Sequence, residues 1–405
     1  MHLPIRASVD VRNYIHLFDE CGMNTDALLA RYQRLDARIP REMRTQSRAW
    51  LQLEQDVLRA DARLKMAEPS DLKTIRAARP RKRIDCYDSI PSGRALRDRV
   101  AGAWAGRIAG CILGKPVECL MREPQSRRAQ KNALEQSGEY PIRDFISPRT
   151  MEAYYAQSSQ PKPSWFTGRD GSLRGCITHA PIDDDLNYTV LALDIVKSQG
   201  LHFSPDVVLD RWLRFLPYHT VFTAERAAYF NRVIGLSYPE TALFLNPYRE
   251  WIGAQIRTDG YGYVLPGRPA TAARLAWQDA ACSHVANGIY GAMWVSAALA
   301  AAFIEDDPET IIRRGLEQVP AKCRFAEHVI KTIEAAKANG DDFEKTFEDI
   351  EARVGHYHCV HTINNACMVV AALIHGGHDF GRVISIAVMG GLDTDCNGAT
   401  AGSIA

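Results

Sequence analysis

Two short acidic runs in this 405-residue chain carry side chains that could do chemistry. The first is Asp183-Asp184-Asp185. The second is Asp393-Thr394-Asp395, set between Gly390-Gly391 and Cys396-Asn397-Gly398. Both stand where an irregular segment hands over to a helical pattern. One Asp at such a place would be an ordinary cap, accepting backbone N–H bonds at the positive end of a helix dipole. Three in a row repel one another unless a cation neutralises them. Hard divalent cations take carboxylate and hydroxyl oxygens, and Mg²⁺ wants them in near-octahedral geometry. Two acidic loops from distant sequence, brought together, would hold one or two such ions, so a metal site is the expectation.

Other residues invite a chemical reading and are balanced by a structural one. His356, His358 and His361 resemble a zinc cluster, but the spacing His-x-His-x-x-His suits neither one helix face nor one strand face, which argues against zinc. His361 reaches either a cleft or the core. Asn364 and Asn365 lie on an otherwise apolar helix and need partners, whether caps, core groups or a substrate. Trp165 and Phe166 either stack on a base or pack a loop down, and the same holds for Tyr261 and Tyr263. Arg257 suits a phosphate or a structural ion pair equally well.

The elements that must position these residues are helices. Leu96–Leu113 has Val100, Trp104, Ile108 and Ile112 at helical spacing, and it is loaded with Gly102, Gly106, Gly110 and alanines. Glycine costs about 1 kcal/mol against alanine inside a helix, so its use there implies a close helix approach or backbone against a ligand. Tyr188–Lys197, Asn287–Glu305, Thr362–Leu373 and Arg382–Met389 read as further helices, and Arg44–Arg76 as one or two amphipathic ones. No βαβ rhythm appears, so the fold class is all-α. Pro141–Cys176 reads as a long irregular loop. The first 95 residues carry a basic surplus and end in Arg79-Pro80-Arg81-Lys82-Arg83, which reads as a solvated boundary because no aromatic residue is interleaved with it.

With 49 Lys and Arg against 48 Asp and Glu, the chain has no general electrostatic footprint for nucleic acid or an anionic membrane. No apolar run is long enough for a membrane helix. The start lacks a signal-peptide pattern. Ten scattered cysteines without a Cys-x-x-Cys pair read as free thiols in a reducing cytosol, so the localisation expected is cytoplasmic.

Residues 96–405 resemble the ADP-ribosylglycohydrolase family, of the dinitrogenase-reductase-activating glycohydrolase type. The ordered segments are Arg99 to Glu118 with its Gly114-Lys115-Pro116-Val117-Glu118 end, Ile182 to Thr189, Gly253 to Arg257, Asp279 to Gly288, and Gly390 to Asp395. The resemblance implies an orthogonal multi-helix fold, a hydrolase with two Mg²⁺ ions (or Mn²⁺) in a cleft, and cleavage at the anomeric carbon of an ADP-ribosyl group. It makes Asp183, Asp184, Asp185, Asp393 and Asp395 the metal ligands. Glu118, Asp184 and Asp393 become the catalytic carboxylates, and Gly253, Ala254, Arg257, His284, Asn287 and Gly288 the substrate contacts. Asp183, Leu186 and Cys396 replace threonines usual in the family, and cysteine is a poor Mg²⁺ ligand. The expected substrate is an ADP-ribosylated protein, nucleic acid or metabolite. The alternatives are a free nucleoside or ribosyl metabolite, or a non-catalytic binder that docks a protein partner through residues 1–95, an N-terminal helical extension. No membrane partner is expected, and nucleic acid enters only as a substrate. The chain stops within a small-residue helix, and the resemblance implies that the domain lacks its C-terminal end.

Overall fold

The computed structural model of the chain describes residues 9–118, 126–156 and 171–405. These are all helix and connecting segments, with no strand among the described residues. The N-terminal part contains α1 (Val11–Glu20), α2 (Asp26–Asp36), α3 (Arg48–Asp61) and α4 (Leu72–Ala78). The body begins with α5 (Gly93–Glu118), α6 (Ser126–Ser137) and α7 (Pro148–Tyr155). It continues through α8 (Asp184–Gln199), α9 (Pro205–Phe215), α10 (Thr223–Val233), α11 (Glu240–Leu243), α12 (Asp259–Tyr263) and α13 (Pro269–Ala280). It closes with α14 (Ala286–Ala302), α15 (Pro308–Leu316), α16 (Arg324–Ala338), α17 (Phe343–Val354), α18 (Thr362–Gly376), α19 (Phe380–Met389) and α20 (Thr394–Ile404). No helix among the described residues is long and apolar enough to cross a membrane.

Composition explains why α14 is central. It is built mostly of alanine and larger apolar residues such as Ile289, Met293, Trp294, Val295 and Leu299, and every residue from Ala286 to Ala301 is buried. A helix apolar all round has no face to offer water. Around it packs the main core, including Phe325, Phe347, Ile350, Val369 and Val388 from four later helices. A second core under α8, α9 and α13 holds Trp212, Leu209, Leu275 and Tyr261.

The glycines of α5 are used for close approach. α5 and α20 run antiparallel. A Cβ added at Gly106 would meet the Gly402 carbonyl, one at Gly110 the Gly398 carbonyl, and one at Gly114 the Thr394 carbonyl, each inside van der Waals distance. The Thr394 hydroxyl also donates to the Gly114 carbonyl at 2.8 Å. This contact sets the end of α5 beside the start of α20, which are the two places where Glu118 and Asp393 stand.

The N-terminal helices form a small core of their own from Tyr14, Phe18, Trp50, Leu53 and Val57. They are fastened to the body by polar contacts. Tyr248 donates its hydroxyl to Asp10 at 2.6 Å, the His358 amide donates to Glu20 at 2.8 Å, and Arg249 pairs with Asp61. Arg324 pairs with Glu68 at 2.9 Å and with Glu250 at 3.1 Å. The expected amphipathic stretch is two helices, α3 and α4. The segment read as one long irregular loop contains α7, with Pro148 at its first turn and Met151, Tyr154 and Tyr155 buried. Two turns between a serine and a polar run are too short for periodicity to declare. Trp165 and Phe166 lie outside the described residues.

Candidate active site

The acidic runs meet. Asp183 is the N-cap of α8 and its carboxylate accepts from the Asp185 amide at 3.1 Å. Asp393 is the N-cap of α20, and Glu118 is the last residue of α5. Ligand atoms of Glu118, Asp393 and Asp395 lie within 4.8 Å of one another, as do those of Asp185, Asp395 and Cys396, and those of Cys111, Asp183 and Asp185. The Oδ2 of Asp185 and the Oδ1 of Asp395 are buried and have no partner among the described residues. A buried carboxylate oxygen without a donor is costly. Asp185 and Asp395 would satisfy both oxygens by holding a divalent cation, so these residues fit a metal of the hard class.

The electrostatics agree. Burial pushes the Glu118 carboxyl well above the usual carboxylate range, and Asp395, Asp183 and Asp184 push it further. Burial does the same to Asp184, helped by Asp183, Asp395 and Glu225, and to Asp393, helped by Asp395 and Glu118. Asp395 is raised to about 6, by burial first and Asp183 next. Positive charge delivered here lowers all of them.

Two cations of the chain already act on the cluster. Lys115 Nζ lies 2.8 Å from Asp183 Oδ2 and donates to the Ile182 carbonyl at 3.0 Å. Arg107 is fully buried. It bonds Asp185 at 2.9 Å, Asp259 at 3.0 Å, and the carbonyls of Asp185 and Ile256. It thereby fastens α5 to the starts of α8 and α12. Asn365 supports the second run. Its Oδ1 accepts from the Asp393 amide at 3.1 Å and from Asn397 at 2.9 Å, while its Nδ2 donates to the carbonyls of Cys359 and His361, both at 2.8 Å. The turn it steadies passes through Gly391 and Leu392 with φ of +69° and +59°, the second uncommon for a non-glycine.

The carboxylates open into a cleft of about 400 Å³. Its lining includes Glu118, Asp183, Asp184, Asp393 and Asp395, together with Lys115, Glu225, Trp251, Gly253 and Phe222. The substrate contacts expected from the resemblance divide. Gly253 lines the cleft, with the Glu225 carboxylate filling the space a side chain there would take. Ala254 is buried in the main core. Arg257 is buried behind the wall, paired with Glu225 and Asp279, bonded to Ser283 at 2.8 Å and lying over the Trp212 ring. His284 stands beside it, Nδ1 at 2.8 Å from Ser283 Oγ and Nε2 at 4.0 Å from Glu225. Burial, then Arg257, lowers its pKa well below the usual histidine value, which leaves a neutral ring. Asn287 bonds Glu250 at 2.7 Å and the Phe325 amide at 3.1 Å, and Gly288 packs against the Arg249 carbonyl.

The other open readings also have their places. His361 caps α18 and stacks on Tyr357, with ring centroids 4.3 Å apart, and His358 stacks on Trp251 at 4.0 Å. Tyr261 donates to Asp279 and is fully buried. The partners of Lys115, Arg107, Asn365 and Glu225 have no signature in sequence. A single Lys, Arg or Glu in a helical run looks the same whether it faces water or a buried partner.

An all-helical body thus delivers acidic residues from two helix starts and one helix end into a single cleft. A family model described as ADP-ribosylglycohydrolase matches residues 92–405, and the chain belongs to that family of glycohydrolases. Among solved structures it is similar to an ADP-ribosylglycohydrolase-related protein complex, at 17% identity and a TM-score of 0.47, covering 77% of this chain and 88% of that one. No curated protein matches.

Proposed function

We propose that the protein is a metal-dependent glycohydrolase that cleaves the ribosyl bond of an ADP-ribosylated protein, nucleic acid or metabolite. The observation that carries this is the convergence of Asp183, Asp184, Asp393, Asp395 and Glu118 on one cleft, with a buried oxygen of Asp395 and one of Asp185 behind it left without donors. Asp183, Asp184, Asp185, Asp393 and Asp395 would hold two Mg²⁺ ions, Mn²⁺ being the other candidate. When bound, such ions lower the pKa of water and hold sugar hydroxyls.

The chain's own residues do the rest. Hydrolysis at the anomeric carbon passes through an oxocarbenium-like transition state. Asp184 and Asp393 face the cleft and stabilise the positive charge that develops on the ring. Glu118, at the end of α5 beside Asp393 and Asp395, takes the proton of the attacking water. The water oxygen bonds to the anomeric carbon as the glycosidic bond breaks, the leaving group takes its proton from solvent, and Glu118 returns the water proton to solvent, so that one water is consumed. Lys115 holds Asp183, and Arg107 holds Asp185, at fixed positions.

A free nucleoside or ribosyl metabolite is the second reading. It is favoured by the burial of Arg257, which removes that cation from any phosphate. Calorimetric titration of ADP-ribose in Mg²⁺ and then in EDTA tests both. Metal-dependent binding in the micromolar range, abolished by Asp393→Ala, is expected. Binding of a nucleoside but not of ADP-ribose would move the assignment to the second reading. Binding of neither to folded, metal-loaded protein would sink both.

A further inference from the structure

Inside the cleft the charge is almost all negative. Among the described lining residues, Lys115 is bonded to Asp183, and Glu225 occupies the space beside Gly253. A phosphate placed there would meet carboxylates and would displace an ion pair. The surroundings change at the mouth, where the chain enters α10. Phe222 lines the cleft and is 50% exposed, and Tyr218, four residues earlier, is 47% exposed. Large apolar rings standing in water beside a polar cleft mark a binding surface more often than chance. Between them lies Arg226. Its guanidinium is 5.3 Å from the Phe222 ring and 5.7 Å from the Tyr218 ring. Its Nε donates to the Val221 carbonyl at 2.7 Å, which fixes the plane, and its two terminal nitrogens have no partner among the described residues. Thr223, the first residue of α10, has φ +40°, a rare conformation for a β-branched side chain. It stands between Phe222, turned to solvent, and Glu225, turned inward.

We propose that Tyr218, Phe222 and Arg226 form the subsite for the nucleotide end of the substrate, with the base stacked on Phe222, a phosphate on Arg226, and the ribose over the carboxylates. The assignment rests on the ribosyl-hydrolase reading above. Aromatic faces bind any base by stacking, and arginine pairs with phosphate through two parallel N–H donors. The same cluster offers little to a plain sugar.

The test uses the full chain loaded with Mg²⁺ and three probes: ADP-ribose, adenosine and ribose 5-phosphate, titrated by calorimetry into wild type, Phe222→Ala and Arg226→Gln. Phe222 is exposed and Arg226 half-buried, so unchanged melting temperature and unchanged Mn²⁺ binding serve as controls. Phe222→Ala should weaken ADP-ribose and adenosine about tenfold and leave ribose 5-phosphate unchanged. Arg226→Gln should weaken ADP-ribose and ribose 5-phosphate about tenfold and leave adenosine unchanged. Wild-type binding that both variants retain in full would overturn the subsite and leave the hydrolase reading standing. Failure of wild type to bind any probe would overturn the hydrolase reading, and the subsite with it.

Discussion

Asn365 is the residue on which the second acidic turn leans. It accepts from the Asp393 amide and from Asn397, and donates to two carbonyls of the segment before α18. Replacing it with alanine leaves buried donors without an acceptor, at a cost of about 2 kcal/mol. Because the turn carries Asp393 and Asp395, metal affinity should fall as well, by roughly 10–100-fold, as is usual when the support of a metal ligand is lost. Mn²⁺ titration of Asn365→Ala checks this. An unchanged affinity would show that the turn holds its shape without the amide. The acidic runs themselves were legible in sequence because adjacent like charges are costly and need a reason. Asn365 was visible only as an amide in want of a partner. Arg257, read as either a phosphate contact or an ion pair, is the ion pair in this structure, and its surroundings alone decide that. Lys115 was read only as part of a motif, since nothing in the chain announces that it reaches Asp183.

At the scale of the element, α5 against α20 is the contact that sets the site. The glycines of α5 were legible as a sign of close approach, and their partners, Gly398 and Gly402, were not, since matching two helices nearly three hundred residues apart needs the fold. Gly110→Ala would drive a methyl into the Gly398 carbonyl. The neighbour there is backbone, with no flexible tip to yield, so the loss should be about 3 kcal/mol, at the upper end for overpacking. The melting temperature should drop, with Mn²⁺ binding weakened alongside it. Gly102→Ala, where a Cβ meets nothing, should stay near wild type or gain stability. A Gly110→Ala protein as stable as Gly102→Ala would refute the close contact.

Across the whole molecule, the N-terminal helices are joined to the body through buried charge. Glu20 sits at that junction, 6% exposed, accepting from the His358 amide. Burial raises its pKa to about 8, with Glu250 raising it further and Arg324 opposing. The unfolded chain releases this proton near the ordinary carboxylate value of 4.5, whereas the folded chain keeps it up to about 8. Folded protein therefore binds more protons across that window, and stability falls as pH rises through it. Glu20→Gln keeps the acceptor without the titration. Its unfolding midpoint in urea should lose less between pH 5 and pH 8 than that of wild type, by on the order of 1–2 kcal/mol in free energy. Equal pH slopes for the two proteins would show that Glu20 is not the group responsible.

The pairing of α5 with α20 also bears on how the protein is made. Ribosomes deliver chains N-terminus first, and domains commonly begin to fold during synthesis. Here Glu118 and the Asp183 run are made well before Asp393 and Asp395. A nascent chain lacking residues 394–404 has no partner for the glycine face of α5 and no second half of the acid cluster. The cleft is thus assembled only once α20 has emerged, and until then a growing chain keeps its two acidic runs apart.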